Sequence, residues 1–281
     1  MNAGRLWRLR TRFLSLEKPL IMGVINVTPD SFSDGGSFTS SRDAVAHGRR
    51  LIEQGADLLD LGGESTRPGA EPIASTTEIN RVMPVLEGLT GTVPISVDTT
   101  KPEVARLALE AGAEVINDVT AGSDPAMLEV VAAAGAGLIL MHMQGLPRTM
   151  QDDPRYEDVV EDIKLFLTVR SLAARKAGVQ ADRIAIDPGI GFGKTLEHNL
   201  DLIREIGSLR SLGFPVVLGA SRKKFLGTIT GVDRPSQRDL ASAVVAALAV
   251  ERGADLFRVH NVTACREAVA VALAIVRGSG G

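Results

Sequence analysis

The sequence is poor in the residues that cross-link a fold or stack against bases: it has one cysteine, Cys265, and 4% aromatics in 281 residues. One cysteine excludes an internal disulfide and any thiolate-rich zinc centre, and it suits a reducing, cytoplasmic setting. Cys265 itself reads as a buried or half-buried helix residue. With few aromatics and a net charge of −3, the chain offers neither stacking platforms nor a basic field, which argues against nucleic acid as a partner. The longest apolar run, within "ASAVVAALAV", is less than half of the ~20 residues that span a bilayer, so no membrane span is expected and the run reads as a buried helix. Four histidines, His47, His142, His198 and His260, show no H-x-H or H-E-x-x-H spacing, and a transition-metal site has little support. His47 and His198 fall in helical stretches and read as surface residues. Against these absences, 44% hydrophobic residues are enough for a large core, and the partner is expected to be a small molecule.

At the N-terminus, Trp7, Leu9, Thr11 and Phe13 alternate with Arg8, Arg10 and Arg12. That is strand periodicity without the continuous apolar stretch of a secretory signal. Residues 1–18 are read as a short hairpin laying its Trp face on the main domain, with a targeting role as the alternative.

Over residues 19–281 one phrase recurs: a helical segment, a glycine, then a short apolar strand ending in polar residues. It appears as "EQGADLLDLGGES", "GTVPISVDT", "EAGAEVINDV", "AAGAGLILMHM", "KAGVQADRIAIDPG", "SLGFPVVLGASR" and "ERGADLFRVHN". Glycines 55, 91, 112, 135, 178, 213 and 253 stand where a helix end needs a positive φ before the chain reverses. With the opening strand "PLIMGVINV", the pattern predicts eight strands, each followed by a helix. Near-continuous apolar strands are those of a parallel sheet buried on both faces. The chain is therefore predicted to be an α/β protein forming a single-domain (β/α)8 TIM barrel, whose typical size is ~250 residues; an open doubly wound sheet is the alternative.

A barrel gathers its active site at the C-terminal ends of the strands. The residues so placed are Asn26, the "ESTRPG" loop, Asp98, Asn117, His142, Asp187, the Ser221–Lys223 turn, Arg258 and His260. Asp98, Asn117 and Asp187 together suit a ligand with an N–H-rich edge, such as the amino-lactam edge of a guanine or pterin. Ion pairing with Lys223 or Arg258 is the bland explanation for any one of them. Arg67, Arg258 and His260, with Asn26, read as an anion clamp: arginine forks onto phosphate oxygens, and Asn26 offers an oxygen to a hard cation such as Mg2+. Lys223 admits three readings, a Schiff-base nucleophile as in an aldolase, a plain donor or cationic wall, or part of a solvated basic turn. "DPGIGFGKT" misses both the P-loop and the dinucleotide template by one residue.

"MGVINVTPDSFSDGG", "GGESTRPG", "ISVDTTKPEV", "INDV", "LMHMQG", "DPGIGFGKT", "GASRKKFLG" and "RVHNV" resemble, in order, the signatures of the dihydropteroate synthase family. The resemblance implies a folate-biosynthesis transferase that joins 7,8-dihydropterin-CH2-diphosphate to 4-aminobenzoate with Mg2+, releases diphosphate, and is a target of sulfonamides. It implies that Asp98, Asn117, Met141, Asp187 and Lys223 hold the pterin. Asn26, Arg67, Arg258 and His260 would take the diphosphate, with Asn26 on the Mg2+, while Thr66, Arg67, Pro68, Phe192 and Ser221 would border the aminobenzoate. Asp98, Asp187, Lys223 and Arg258 would carry the catalysis, in a homodimer. One departure is Asn261, where the family often has aspartate. Besides an aldolase using Lys223, the other alternative is a barrel that binds pterin without turnover.

Overall fold

Each of the seven predicted turn glycines has a positive φ, from 60° at Gly135 to 109° at Gly112. The computed structural model describes residues 5–28, 41–66 and 69–277. An antiparallel hairpin, β1 (Leu6–Arg8) and β2 (Phe13–Ser15), precedes eight parallel strands. These are β3 (Leu20–Asn26), β4 (Leu58–Gly62), β5 (Ile95–Asp98), β6 (Val115–Asp118), β7 (Gly137–Met141), β8 (Ile184–Asp187), β9 (Val217–Leu218) and β10 (Leu256–Val259). They hydrogen-bond in the order 8-7-6-5-4-3-10-9, and a parallel bridge from Ile186 to Val216 joins the last pair and closes the ring. The predicted barrel is the observed fold.

Around it run α1 (Ser41–Glu53), α2 (Ser75–Leu89), α3 (Pro102–Glu110), α4 (Pro125–Ala134), α5 (Val159–Lys176), α6 (Leu196–Arg204), α7 (Ile206–Arg210), α8 (Lys224–Thr230), α9 (Asp239–Glu251) and α10 (Val262–Arg277). Their starts are encoded locally. Asp124, followed by Pro125, caps α4 through Ala126 N, and Asp158 accepts from Val160 N and Glu161 N at the start of α5. Thr195 and His198 form a reciprocal capping box on α6.

Strand alternation sorts the side chains into two cores. Leu59, Val97, Ile116, Leu138, Ile186 and Phe257 face outward and pack under the helices. Met22, Leu58, Val115, Ile139, Val217 and Leu256 face the barrel axis, where they meet Trp7, Leu9 and Leu16 of the N-terminal segment. Trp7 is fully buried and its indole N–H donates to Arg183 O at 3.0 Å, just before β8. The hairpin thus plugs the N-terminal mouth, which leaves the opposite half of the interior to polar residues.

Three sequence expectations are corrected. Phe13 does not share the Trp face: the hairpin register pairs Trp7 with Leu14, so Phe13 turns outward, 56% exposed, beneath the Arg8 guanidinium. The apolar helix α9 is buried on one side only; Ala243, Ala246 and Ala249 pack inward, whereas Leu240, Val244 and Leu248 are exposed. His47 and His198 are half-buried, and burial together with Arg50 and Arg222 holds the His47 pKa below its usual value. Cys265 is buried, as expected.

Candidate active site

The strand register brings Gly62 beside Asp98, Asp98 beside Asn117, and Met141 beside Asp187. Asp98, Asn117 and Asp187 are all buried at the C-terminal mouth. Arg258 reaches between them from β10, donating from Nε to Asp60 at 2.6 Å and from Nη2 to Asp98 at 2.9 Å. Asn117 donates to the same Asp60 oxygen at 3.2 Å. Asp60 is absent from the sequence prediction. Its signal was the carboxylate interrupting the apolar strand "LLDLG", where burial is costly without a partner. The ion-pair explanation therefore accounts for Asp98 in part, while on Asp187 Lys223 and Arg258 act as neighbouring charges.

Asp187 uses Oδ1 to accept from Gly189 N at 2.7 Å. Its Oδ2 lies against Gly219, where a Cβ would stand 3.6 Å away and 3.9 Å from Arg258 Cδ, so the glycine keeps this wall thin. Burial pushes the Asp187 pKa up to about 6, against the Gly189 hydrogen bond and the charges of Lys223, Arg258 and Lys194. Burial also raises the Asp98 pKa, with Arg258 opposing and Asp60 adding to the shift. Burial thus biases both carboxyls toward their neutral forms.

The "DPGIGFGKT" loop is braced throughout. Gly189 has φ 70°, and a Cβ there would collide with the His142 carbonyl. Gln151 donates to Gly191 O, Lys194 Nζ to Phe192 O, and Tyr156 to Gly193 O, so three successive carbonyls are tied down. Lys194, given no role by the sequence reading, is buried and its Nζ lies 3.0 Å from His142 Nδ1. Burial lowers the His142 pKa to about 3, which keeps the ring neutral and able to accept this bond. Burial lowers that of Lys194 to about 7.

The bracing aims Phe192 at the mouth, where Lys223 Nζ sits 3.8 Å from its ring centroid. This contact is an attraction of the ammonium form, which suits a cationic wall better than an amine nucleophile. Ser221 Oγ accepts from His260 N at 3.2 Å and lies 3.0 Å from His260 Nδ1. Asn26, at the end of β3, is half-buried; a Cβ on Gly62 would stand 3.8 Å from Asn26 Oδ1 and 3.9 Å from Asp98 Oδ2, so the two side chains flank one gap. Thr66 is half-buried, and Arg67 and Pro68 lie outside the described residues, as do residues 29–40. The strand-side base of the "ESTRPG" loop is fixed by Glu64, which accepts from Ile73 N and pairs with Lys101; Lys101 also binds the buried Glu78.

Among the described residues no cluster of three or more histidine, cysteine or acidic side chains could cage a metal. Asn26 Oδ1 is an oxygen donor of the kind a hard cation accepts.

A closed (β/α)8 barrel with buried carboxylates and an amide facing cations across its C-terminal mouth defines a pterin-type ligand site, and the family model for pterin binding enzymes matches residues 22–260. The chain is 44% identical over 276 residues to the dihydropteroate synthase of Neisseria meningitidis serogroup B, covering 96% of this chain and 97% of that one. The structure of the Xanthomonas albilineans dihydropteroate synthase with 4-aminobenzoic acid superposes with a TM-score of 0.91 at 47% identity, covering 97% and 98% of the two chains. The same bacterium's enzyme in complex with 7,8-dihydropteroate gives 0.87 at 44% identity, covering 96% and 98%. The chain belongs to the dihydropteroate synthase family.

Proposed function

We propose that this barrel condenses 7,8-dihydropterin-CH2-diphosphate with 4-aminobenzoate to give 7,8-dihydropteroate and diphosphate. The observation that carries the reading is Asp187: a buried carboxylate whose second oxygen faces the thin wall at Gly219, poised to accept two parallel N–H bonds from a pterin edge. Asp98, Asn117 and Lys223 complete the pterin contacts, with Met141 packed beside the ring. Asn26, Arg67, Arg258 and His260 receive the diphosphate. Thr66, Arg67, Pro68, Phe192 and Ser221 border the aminobenzoate.

In the reaction the methylene carbon's bond to the diphosphate oxygen breaks and the arylamine nitrogen forms a bond to that carbon. Diphosphate leaves with the bonding pair, and the nitrogen releases a proton to solvent. The buried carboxylates stabilise positive charge spreading into the pterin ring, which favours a dissociative, cation-like path. Arginine and histidine stabilise the charge gathering on the leaving group. Mg2+, when bound through Asn26 and the diphosphate, supplies further positive charge there. Because the arylamine is already nucleophilic, no strong general base is needed.

The exposed apolar residues Leu240, Val244 and Leu248 of α9, and Val271 and Ile275 of the adjoining α10, are the surface expected to be covered in a homodimer. No described helix is long and apolar enough to cross a membrane, and action in the cytoplasm is proposed from the single free cysteine. The test of function is diphosphate release that requires both substrates and Mg2+. Failure to form dihydropteroate from the two substrates with Mg2+ would overturn the reading.

A further inference from the structure

Arg222 has φ 59°, one of two described non-glycine residues in the left-handed region. A bulky side chain persists there only when its surroundings over-determine it. It stands between Ser221 and Lys223, two residues assigned above to the substrates, so the strain is located where the direction of those side chains is decided.

The surroundings are specific. Asp239, in the first turn of α9, takes a bidentate pair from Arg222, Nε to Oδ1 at 2.6 Å and Nη2 to Oδ2 at 2.9 Å. Arg222 N donates to Ser242 Oγ at 3.0 Å, one turn further along the same helix. Arg238 closes the far side by donating to the carbonyls of Arg222 and Lys223 at 3.1 and 3.3 Å. Asp239 also reaches the neighbouring strand end: Asn261 Nδ2 donates to its Oδ2 at 3.0 Å, while Asn261 Oδ1 caps α10 through Ala264 N. Asn261 adjoins His260, whose backbone N–H is bound by Ser221. Burial pushes the Asp239 carboxyl up, but the bonds from Arg222 and Asn261 outweigh it and hold the group below the usual carboxylate range.

We propose that Asp239 is a positioning residue: it clamps Arg222 in the left-handed turn and, through Asn261, locks that turn to the end of β10, so that Ser221, Lys223 and His260 meet the substrates as one unit. The proposal rests on the synthase reading. It also gives a reason for asparagine at position 261. An aspartate there would keep the helix cap but set a second carboxylate against Asp239, whereas the amide supplies the donor that Asp239 needs.

If the pair were only a partly exposed ion pair, its removal would cost little. If it is a clamp, Asp239→Ala lowers kcat/KM on the order of 10- to 100-fold at near-native thermal stability, because misplaced groups at a site are that costly. The discriminating variant is Arg222→Gly, since glycine adopts this φ without restraint. Arg222→Gly keeps the turn's φ but severs the same tie toward Asn261, so it lowers kcat/KM by less than Asp239→Ala does, and Asp239→Ala placed on top of it adds almost nothing, a non-additivity reserved for coupled residues. Asp239→Ala within about 2-fold of wild type, or a double variant as poor as Asp239→Ala, overturns the proposal. Amide exchange of Arg222 and Lys223 in the ligand-free protein tests the clamp without turnover. It is faster in Asp239→Ala, and unchanged exchange there also overturns it. A wild-type protein that makes no dihydropteroate would sink the synthase reading instead, leaving the exchange result to stand by itself.

Discussion

The two mouths of the barrel hold buried charges under opposite conditions. At the N-terminal mouth partners are supplied locally: Asp255 binds Arg5 and Val216 N, and Glu114 accepts from Thr11 N, Thr11 Oγ and Arg12. Arg183 donates to the carbonyls of Leu9 and Gly135. The one described orphan at this end, Arg266 Nε, belongs to a guanidinium already bound to Gly55 O and Asp57. At the C-terminal mouth, Asp60 Oδ1 and Ser96 Oγ, side by side on neighbouring strands, have no partner among the described residues, and Asp98, Asp187 and Lys194 are all displaced toward their neutral forms. Buried polar groups are normally satisfied, so concentrated dissatisfaction marks where stability has been yielded to ligand binding. One end of the molecule is built to be finished without a ligand and the other to be finished by one.

The largest expected effect breaks the finished end. Trp7→Ala removes a fully buried indole and orphans Arg183 O, and is expected to cost about 3–5 kcal/mol of stability, in the range of large aromatic deletions. Chemical denaturation measures it, with the catalytic parameters of the surviving folded protein expected to stay near wild type. A loss below about 1 kcal/mol would mean the plug is dispensable.

Next in size is Lys223→Ala at the opposite end. It is expected to lower kcat/KM on the order of 100-fold, about 2.7 kcal/mol of transition-state stabilisation, while the melting temperature hardly moves. Lys223→Arg should recover only part, because a planar fork cannot replace a point donor 3.8 Å from the Phe192 ring. Full activity in either variant would return Lys223 to a solvated basic turn.

These two residues also show what could be read in the sequence. The barrel was legible because its determinants are local: a positive-φ glycine after each helix and an apolar run after each glycine. Strand ends become a rim by geometry alone, which is why Asp98, Asn117, Asp187 and Arg258 are legible together in the sequence. Contacts set across the barrel were not legible. Asp60 meets Arg258 across 198 residues of sequence, and Lys194 finds His142 only because two loops fold together. The left-handed Arg222 is a product of tertiary restraint and has no local signature, since a sequence-based rule would reserve that φ for glycine.

A smaller effect than that of Lys223 is expected for Asp187→Asn, which should weaken pterin binding by about 1–3 kcal/mol, since an amide presents one acceptor where the carboxylate presents two. Calorimetry with the pterin substrate reads this directly. Unchanged affinity in a variant at least as stable as wild type would remove Asp187 from the pterin edge.

The smallest effect uses the same substitution in the absence of ligand, where the comparison of the two mouths predicts the opposite sign. Asp187 has a folded pKa of about 6, above the unfolded value of about 3.9. A carboxyl shifted upward favours folding while protonated, so its contribution is fully present below the unfolded pKa and is lost as pH rises through about 6. Lys194, lowered to about 7 by burial, runs the other way: its charged form opposes folding below that value, and the penalty fades as pH climbs toward its unfolded pKa. Asp98 is shifted upward as well, but it and Lys194 are common to wild type and Asp187→Asn, so the difference between the two proteins from pH 4.5 to 7 reads Asp187. Replacing it with asparagine removes a charge that the empty mouth does not fully compensate. Ligand-free Asp187→Asn should therefore gain stability relative to wild type as pH rises from 4.5 to 7, by on the order of 1–2 kcal/mol, which for a chain of this size is a few degrees of melting temperature. A difference between the two proteins that stayed flat across that interval, or that favoured wild type at the higher pH, would show that the ligand-free mouth already satisfies this carboxylate.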